Sequence, residues 1–580
     1  MAGTLHSETE DTVKRLLQKR AFWWSFIDAL LFLMTLGLLF FWVAKGVQLD
    51  HSYLHRSVVQ PARWTDRMVL LCYALMLVFP SVWLTARPVT GWCVRHERLS
   101  WGKGLARWTL WMFGISFLVG CLGFLWEGRE SWSKYSVPSP ARKGNTIVVL
   151  ILVDALRADH VGCYGYSRDT TPFVDKLARD SVQFSDVYAP ASWTKPSVTS
   201  ILTSLYPTGH GAFLHDSFLP QEAVTLPEVL QKNGFFTYAY ISNPNLKRLF
   251  NYQQGFQVYD DVLMREKLSY VLCKNLPFWG SVARFVTGRK FDYSDVDGAD
   301  RANNRILPVL RQCDNVNAFL YLHYMDPHFP YAPPPGYKKL FPPDMSVLSP
   351  GTEAFYDAEI RFVDEHIGKL IETMKQLGMY NRSTVILTSD HGEAFGDHGN
   401  WRHGKTIYED QVRVPMIIKL PQNRSAGERV NASVQSVDIM PTILDLVEAE
   451  YQGTMQGKSL LPLLSFPSGE SREVYIHEVV DHPDIYALRG IVLQNRWKYI
   501  HTEKTDLRDL EKEGPEELYD LQTDPKETKN LVNEKPEMLA LMRDRVAWHE
   551  AQSLLTPLPS SNVSLDPETT RQLKELGYLE

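Results

Sequence analysis

A run of aliphatic residues, TIVVLILVD, ends in Asp154, and a second, STVILTSDHG, ends in Asp390 and His391. A third, NAFLYLH, leads into MDPHFPY, which carries His328, and the later segment NWRHGKTIYED brings His403 and Lys405. In ASWTKPSVTSILTSLYPTGHG, Thr194 stands where a short helical pattern opens, with Pro196 in the first turn. Two carboxylates and an imidazole make a mixed oxygen and nitrogen set that suits a divalent cation of intermediate hardness. The expected ligands are therefore Asp154, Asp390 and His391, with Thr194 adding an oxygen. A hydroxyl beside such a cation, at a helix start whose free N–H groups favour an anion, is a nucleophile for an ester. Taken singly, each residue has an ordinary reading. An Asp after a strand caps the next helix, a lone His is a satisfied polar residue, and Thr194 is an N-cap. Convergence at one kind of position is what carries the functional reading.

The elements that would position these residues come from the same runs. TIVVLILVD has no polar alternation, as befits a parallel strand covered on both faces. FFTYAYIS (235–242), NAFLYLH (317–323) and STVILTSD (383–390) are further strands. Residues 355–378 place Phe355, Ala358, Phe362, Ile367, Leu370, Ile371 and Met374 on about one helical face. Strands alternating with helices predict an α/β domain with a mostly parallel sheet flanked by helices. In such sheets ligands gather beyond the carboxyl ends of the strands, where these acids and histidines fall. The predicted catalytic domain covers 146–450. A small C-terminal subdomain at 451–550 is marked by RWKYIHTE and ELYDLQTDP, and 551–580 form a tail.

Composition bounds the rest. The chain has 580 residues and a net charge of −6, so no basic surface points to nucleic acid. Its apolar residues concentrate near the N-terminus in three stretches, 21–44, 68–86 and 108–126. Each approaches the roughly 20 residues that span a bilayer as a helix. Tryptophans, among them Trp23, Trp42, Trp83, Trp108 and Trp126, cluster at their ends. These features predict a membrane anchor of three transmembrane helices, with 127–145 as a polar linker and the membrane as a partner. Lys14, Arg15, Lys19 and Arg20 in the N-terminal tail, with Arg87, Arg95, Arg98, Lys103 and Arg107 between the second and third stretches, favour an extracytoplasmic catalytic domain. The bias is slight, because Lys45, Arg56, Arg63 and Arg67 lie between the first two. Six cysteines show neither metal spacing nor a disulfide framework.

Eight ordered segments, among them ILVDALRADHVGCYGY, KPSVTSILTSLYPTGHG, TSDHGEAFGDHG and ELYDLQTDPKETKNL, resemble the sulfatase family of the alkaline phosphatase superfamily over about residues 145–531. The resemblance implies a sulfatase-like α/β fold and one divalent metal ion. Mn²⁺ is favoured, with Zn²⁺, Mg²⁺ or Ca²⁺ as alternatives. It implies Asp154, Asp390 and His391 as ligands and Thr194 at the nucleophile. His328 and Lys405, with His403 as an addition, then hold the substrate's anionic oxygens or protonate the leaving group. The sequence also departs from the family. Sulfatases proper carry C-x-P-S-R or S-x-P-S-R, whose first residue is oxidised to formylglycine; here Thr194-Lys195-Pro196-Ser197-Val198 stands instead. Ala155 replaces a second acid, and SNPNLKRLF, with Asn243, replaces a lysine–x–histidine pair.

Threonine has no second hydroxyl on its β-carbon, so it cannot expel a bound group by collapsing to an aldehyde. A Thr ester must be cleared by attack on phosphorus or sulfur itself, a route familiar for phosphorus. Thr nucleophiles are similar to those of membrane-anchored phosphoethanolamine and phosphoglycerol transferases. The expected activity is therefore phosphoester cleavage on a small-molecule, lipid or glycan ester. Sulfate-ester hydrolysis, head-group transfer and an inactive scaffold are the alternatives.

Overall fold

The computed structural model describes residues 145–261, 298–342, 352–465 and 471–580, with short gaps at 483, 507–508, 556, 560–561, 577 and 580. The three apolar N-terminal stretches lie outside the described residues. Among the described residues no helix is long and apolar enough to cross a membrane.

The strands of the main sheet are β1 (Ile147–Val153), β2 (Val182–Phe184), β3 (Phe236–Ile241), β4 (Val258–Asp261), β5 (Ala318–Tyr324), β6 (Ser383–Thr388), β7 (Met416–Lys419) and β8 (Arg429–Val430). They form one eight-stranded sheet in the order β8-β2-β7-β6-β1-β5-β3-β4. β1 pairs in parallel with β5 and β6, β3 with β5 and β4, and β8 with β2. Only β7 runs antiparallel, against β6 and β2. The expected mostly parallel sheet is thus present, and the four strands read from the sequence are adjacent in it, as β6-β1-β5-β3.

β1 explains why its run lacks alternation. Val148, Leu150 and Leu152 enter one core, and Ile147, Val149, Ile151 and Val153 enter the other. The first core is closed by α2 (Thr194–Thr203), α3 (Leu226–Lys232) and α6 (Ile439–Leu446). The second is closed by α1 (Pro172–Arg179), α4 (Ala299–Leu310) and α5 (Thr352–Gln376). With helices on both faces, alternate side chains are buried equally and a period of two leaves no trace. The helical face read over 355–378 falls in α5, where Ala358, Phe362, Ile367, Leu370, Ile371 and Met374 are buried.

After the sheet, residues 451–465 stay with the main core, which takes Tyr451, Met455, Leu460 and Leu463. A second, four-stranded antiparallel sheet then runs in chain order: β9 (Val474–His482), β10 (Asp484–Leu493), β11 (Trp497–Asp506) and β12 (Asp509–Asp520). α7 (Pro536–Ser553) packs on it through Leu539, Met542 and Val546. This sheet reaches the segment that precedes Thr194. The Pro190 carbonyl accepts from the His477 amide at 2.9 Å, and buried Glu478 accepts from Ser192 N at 2.7 Å and Ser192 Oγ at 2.9 Å. The chain ends in α8 (Pro567–Glu575).

Candidate active site

β1, β5 and β6 end at the same edge, so the residues beyond their carboxyl ends converge. Asp154 directly succeeds β1, and its amide donates to the Tyr324 carbonyl at 2.9 Å. Asp390 and His391 lie just past β6, and His323 is the penultimate residue of β5. The Asp154, His323, Asp390 and His391 side chains are all fully buried. Ala155 adopts a left-handed φ of 57°. Its amide donates to Asp390 Oδ1 at 3.3 Å. Gly392 must be glycine for a different reason. A Cβ there would lie 2.1 Å from the Asp410 carbonyl oxygen, because the loop carrying Asp390 and His391 is clamped to 410–411 by backbone bonds.

Thr194 is the first residue of α2, and the N-cap is Trp193 in extended conformation. The reading of Thr194 as a simple N-cap is thereby corrected: its hydroxyl caps nothing and faces the site. Thr194 Oγ1 lies 3.3 Å from His391 Nε2, 3.2 Å from Asn243 Nδ2 and 3.2 Å from the Tyr578 hydroxyl. α2 is held rigidly. All its residues are buried, Ser197 Oγ donates to the Asp390 carbonyl at 2.6 Å, and Lys195 is sunk beneath the helix. The Lys195 ammonium donates to the carbonyls of His215 at 2.6 Å and Ser217 at 2.8 Å, over the Phe250 ring. Burial pulls its pKa well below the ordinary lysine value.

The carboxylates are only half satisfied. Asp154 Oδ2 accepts from Asn243 Nδ2 at 2.6 Å and pairs with His323 Nε2 at 2.9 Å. Asp390 Oδ1 accepts from the backbone amides of Ala155 and His391. Asp154 Oδ1 and Asp390 Oδ2 are buried without a hydrogen-bond partner, and His391 Nε2 lies 3.4 Å from the first and 3.5 Å from the second. His391 Nδ1 sits 2.8 Å from the Gly392 carbonyl. That contact needs N–H at Nδ1, which leaves the Nε2 lone pair turned toward two anionic oxygens. Such an arrangement is repulsive unless a cation lies among the three atoms or the ring takes a second proton. Burial and the charge of Asp154 accordingly raise the Asp390 pKa. His391 is raised as well, because Asp390 and Asp154 outweigh its burial. Asp154 itself is held well below the usual carboxylate range: burial opposes this, but His328, His323 and His391 outweigh it.

The donor set therefore fits a divalent cation. Asp154, Asp390 and His391 can hold it, with Thr194 Oγ1 beside them. Asp154, His323 and Asp390 also offer ligand atoms within 4.8 Å of one another. His323, however, has Nε2 committed to Asp154 and Nδ1 to the Tyr321 hydroxyl at 3.1 Å. Its geometry is that of a group that orients a ligating carboxylate.

A wall of imidazoles completes the site. His328 is buried, with Nδ1 on the Phe329 carbonyl and Nε2 without a partner; burial lowers its pKa to about 4. The His403 ring lies 4.8 Å from that of His328 and 4.2 Å from that of His391, and its Nδ1 meets buried Glu393 at 3.0 Å. Lys405, two residues further on, is exposed. The structure thus gathers Asp154, Thr194, Asp390, His391, His328 and His403 and leaves Lys405 on the surface beside them. Sequence reasoning passed over His323, Glu393 and Tyr578. For His323 a signal existed: it is a lone imidazole at the end of an apolar strand.

The Sulfatase family profile matches residues 146–449, and one described as N-sulphoglucosamine sulphohydrolase, C-terminal, matches 396–550. An ulvan-active sulfatase of Formosa agariphila is 26% identical over 427 residues, covering 68% of this chain and 79% of its own. The multifunctional alkaline phosphatase superfamily protein PehA of Trinickia caryophylli is 24% identical, covering 68% of this chain and 93% of its own. Among solved structures, the phosphonate monoester hydrolase of Agrobacterium radiobacter superposes with a TM-score of 0.57 at 20% identity, over 72% of this chain and 99% of its own. The family match runs over more than half of the chain, and the protein belongs to the sulfatase family of the alkaline phosphatase superfamily, whose members hydrolyse ester bonds.

Proposed function

We propose that this protein is a membrane-anchored, metal-dependent member of the family that cleaves phosphoesters through Thr194. One observation carries the reading: a threonine hydroxyl, incapable of becoming formylglycine, lies within 3.3 Å of both His391 Nε2 and Asn243 Nδ2, beside two buried carboxylate oxygens that lack partners. Asp154, Asp390 and His391 would hold the divalent ion, whose charge would polarise an ester oxygen and favour ionisation of a neighbouring hydroxyl.

The chain's own groups do the remaining work. α2 fixes the direction from which Thr194 Oγ1 attacks, at a helix start whose positive end favours an anion. Asn243 donates to Asp154 and Thr194 from one amide, which sets the spacing between carboxylate and nucleophile. His328 is neutral in the free protein, since its burial keeps the proton off. An anionic substrate beside Nε2 raises its proton affinity, so binding itself loads the proton that the departing oxygen needs. Lys405, on the exposed rim, adds positive charge for the same anion. The Oγ1 proton leaves to solvent, the Oγ1–phosphorus bond forms as the phosphorus–leaving-oxygen bond breaks, and the leaving oxygen takes the His328 proton; water or an acceptor alcohol then attacks phosphorus, and a proton returns to Oγ1 as the Oγ1–phosphorus bond breaks.

Parallel turnover of an aryl phosphodiester, an aryl phosphomonoester and an aryl sulfate by the Mn²⁺-loaded protein tests the substrate class. The expected order puts a phosphoester at least about tenfold above the sulfate in kcat/KM, with a phosphoryl adduct on Thr194 in the trapped intermediate. A sulfate preference favours the second reading, sulfuric ester hydrolysis, which the ulvan-active sulfatase supports by name.

The apolar segments at 21–44, 68–86 and 108–126 support membrane anchorage with the catalytic domain outside. C-terminal reporter fusions are expected to be active only with a periplasmic or luminal reporter; activity of a cytoplasmic reporter reverses the assignment.

A further inference from the structure

The tail after the C-terminal subdomain does not leave the protein. It runs back across the catalytic domain, with the Leu558 amide on the Gly209 carbonyl at 2.9 Å and the Val563 amide on the Asp216 carbonyl at 2.8 Å. Asp566 then caps α8 through the amide and hydroxyl of Thr569. Leu573 and Leu576 are buried beneath the helix, and Lys247 reaches it at Gln572 and Thr569. The chain turns at the helix end, where the Tyr578 amide meets the Leu573 carbonyl at 2.8 Å. This turn sends the Tyr578 ring between the His328 ring, 4.9 Å away, and those of His403, His215 and Trp193, at 5.8, 6.2 and 6.4 Å. Its hydroxyl comes to rest 3.2 Å from Thr194 Oγ1 and 3.0 Å from Asn243 Nδ2.

That position is the one a substrate needs. In a reactive complex the atom under attack lies about 3–3.5 Å from the nucleophile. The Tyr578 oxygen fills this volume, 3.0 Å from Asn243 Nδ2. Two heavy atoms cannot share the space, so the docked tail and the transferring group exclude each other. We propose that residues 566–579 are an internal competitor of the substrate: the phenol of Tyr578 occupies the place of the transferred group, and the tail must withdraw before an ester binds. This inference rests on the reading of Thr194 as the group that receives that ester.

The test uses the full-length Mn²⁺-loaded protein and orthovanadate as the probe. If the docked state holds about nine-tenths of the molecules, Tyr578→Ala tightens vanadate binding about tenfold and lowers KM by the same factor, with kcat unchanged. Leu573→Ala, which loosens α8 without touching the site, moves both quantities in the same direction. Saturating vanadate makes the wild-type tail more sensitive to limited proteolysis. Unchanged vanadate affinity in both variants overturns the proposal, as does a lowered kcat in Tyr578→Ala. Vanadate and proteolysis read tail displacement even where no ester is turned over, which separates failure of this inference from failure of the proposed reaction. Absence of vanadate binding in both variants and in wild type removes the anion site and the inference with it.

Discussion

Replacing Thr194 by alanine is expected to lower kcat by on the order of 10⁴-fold or more while the protein stays folded and keeps its metal. The kinetic half of this expectation comes from placement: Oγ1 is the side-chain atom that faces His391, Asn243 and the unpartnered carboxylates. The structural half comes from what Thr194 does not do. Losing a capping hydroxyl typically costs about 1 kcal/mol, but the cap here is Trp193, and α2 is fixed from below by Lys195 and Ser197. Melting temperature should therefore stay within a few degrees of wild type. Thr194→Ser keeps the hydroxyl and should retain turnover within about tenfold. Retention of more than a tenth of wild-type turnover by Thr194→Ala would sink the nucleophile assignment. Activity and metal content measured on the same sample distinguish this result from an unfolded variant.

The second large effect concerns the paired acids. Asp154→Asn and Asp390→Asn each remove one of the two charges that the cation offsets, and each should lower kcat by at least about 100-fold through loss of metal. Elemental analysis after dialysis against Mn²⁺ is expected to fall from one equivalent toward zero. Stability should respond with the opposite sign in the metal-free protein. There the two buried carboxylates repel, as the raised Asp390 pKa shows through burial and the Asp154 charge. Deleting one charge relieves that repulsion. The Asp390→Asn protein should thus melt no lower than wild type without metal, yet gain nothing from Mn²⁺, whereas wild type should be stabilised by it. An Asp390→Asn protein that binds one equivalent of Mn²⁺ and melts higher with it contradicts the ligand assignment.

The sheet was legible because burial on both faces makes a strand uniformly apolar, and four such runs form adjacent strands of it. Acids and histidines just past those runs were legible for the same reason, since a parallel sheet gathers its strand ends at one edge. His323 was legible only as a lone imidazole near the end of an apolar strand; its meaning depends on the register that sets it opposite Leu152, beside the end of β1. Tyr578 could not be read at all: it meets Thr194 across 384 residues, and no periodicity links a tail to a helix start. Glu393 resembled any acid in a glycine-rich loop until the fold buried it against His403. Thr194 was ambiguous between cap and nucleophile, since both readings place a hydroxyl at a helix start. The extended backbone of Trp193 makes that residue the N-cap and so removes the first reading.

The strand order also governs when the site comes into being. The contacts that define it close over long stretches of chain: 169 residues for Asp154 with His323, 197 for Thr194 with His391, and 235 for Ala155 with Asp390. β1 sits between β5 and β6, so both neighbours must arrive before the cage has walls. Loops of this length close slowly. A nascent chain that has reached β5 carries Asp154, His323 and Thr194 but neither Asp390 nor His391. The candidate cation cage therefore cannot form before β6 has paired with β1, and an ion held there would report that β5, β1 and β6 have come together.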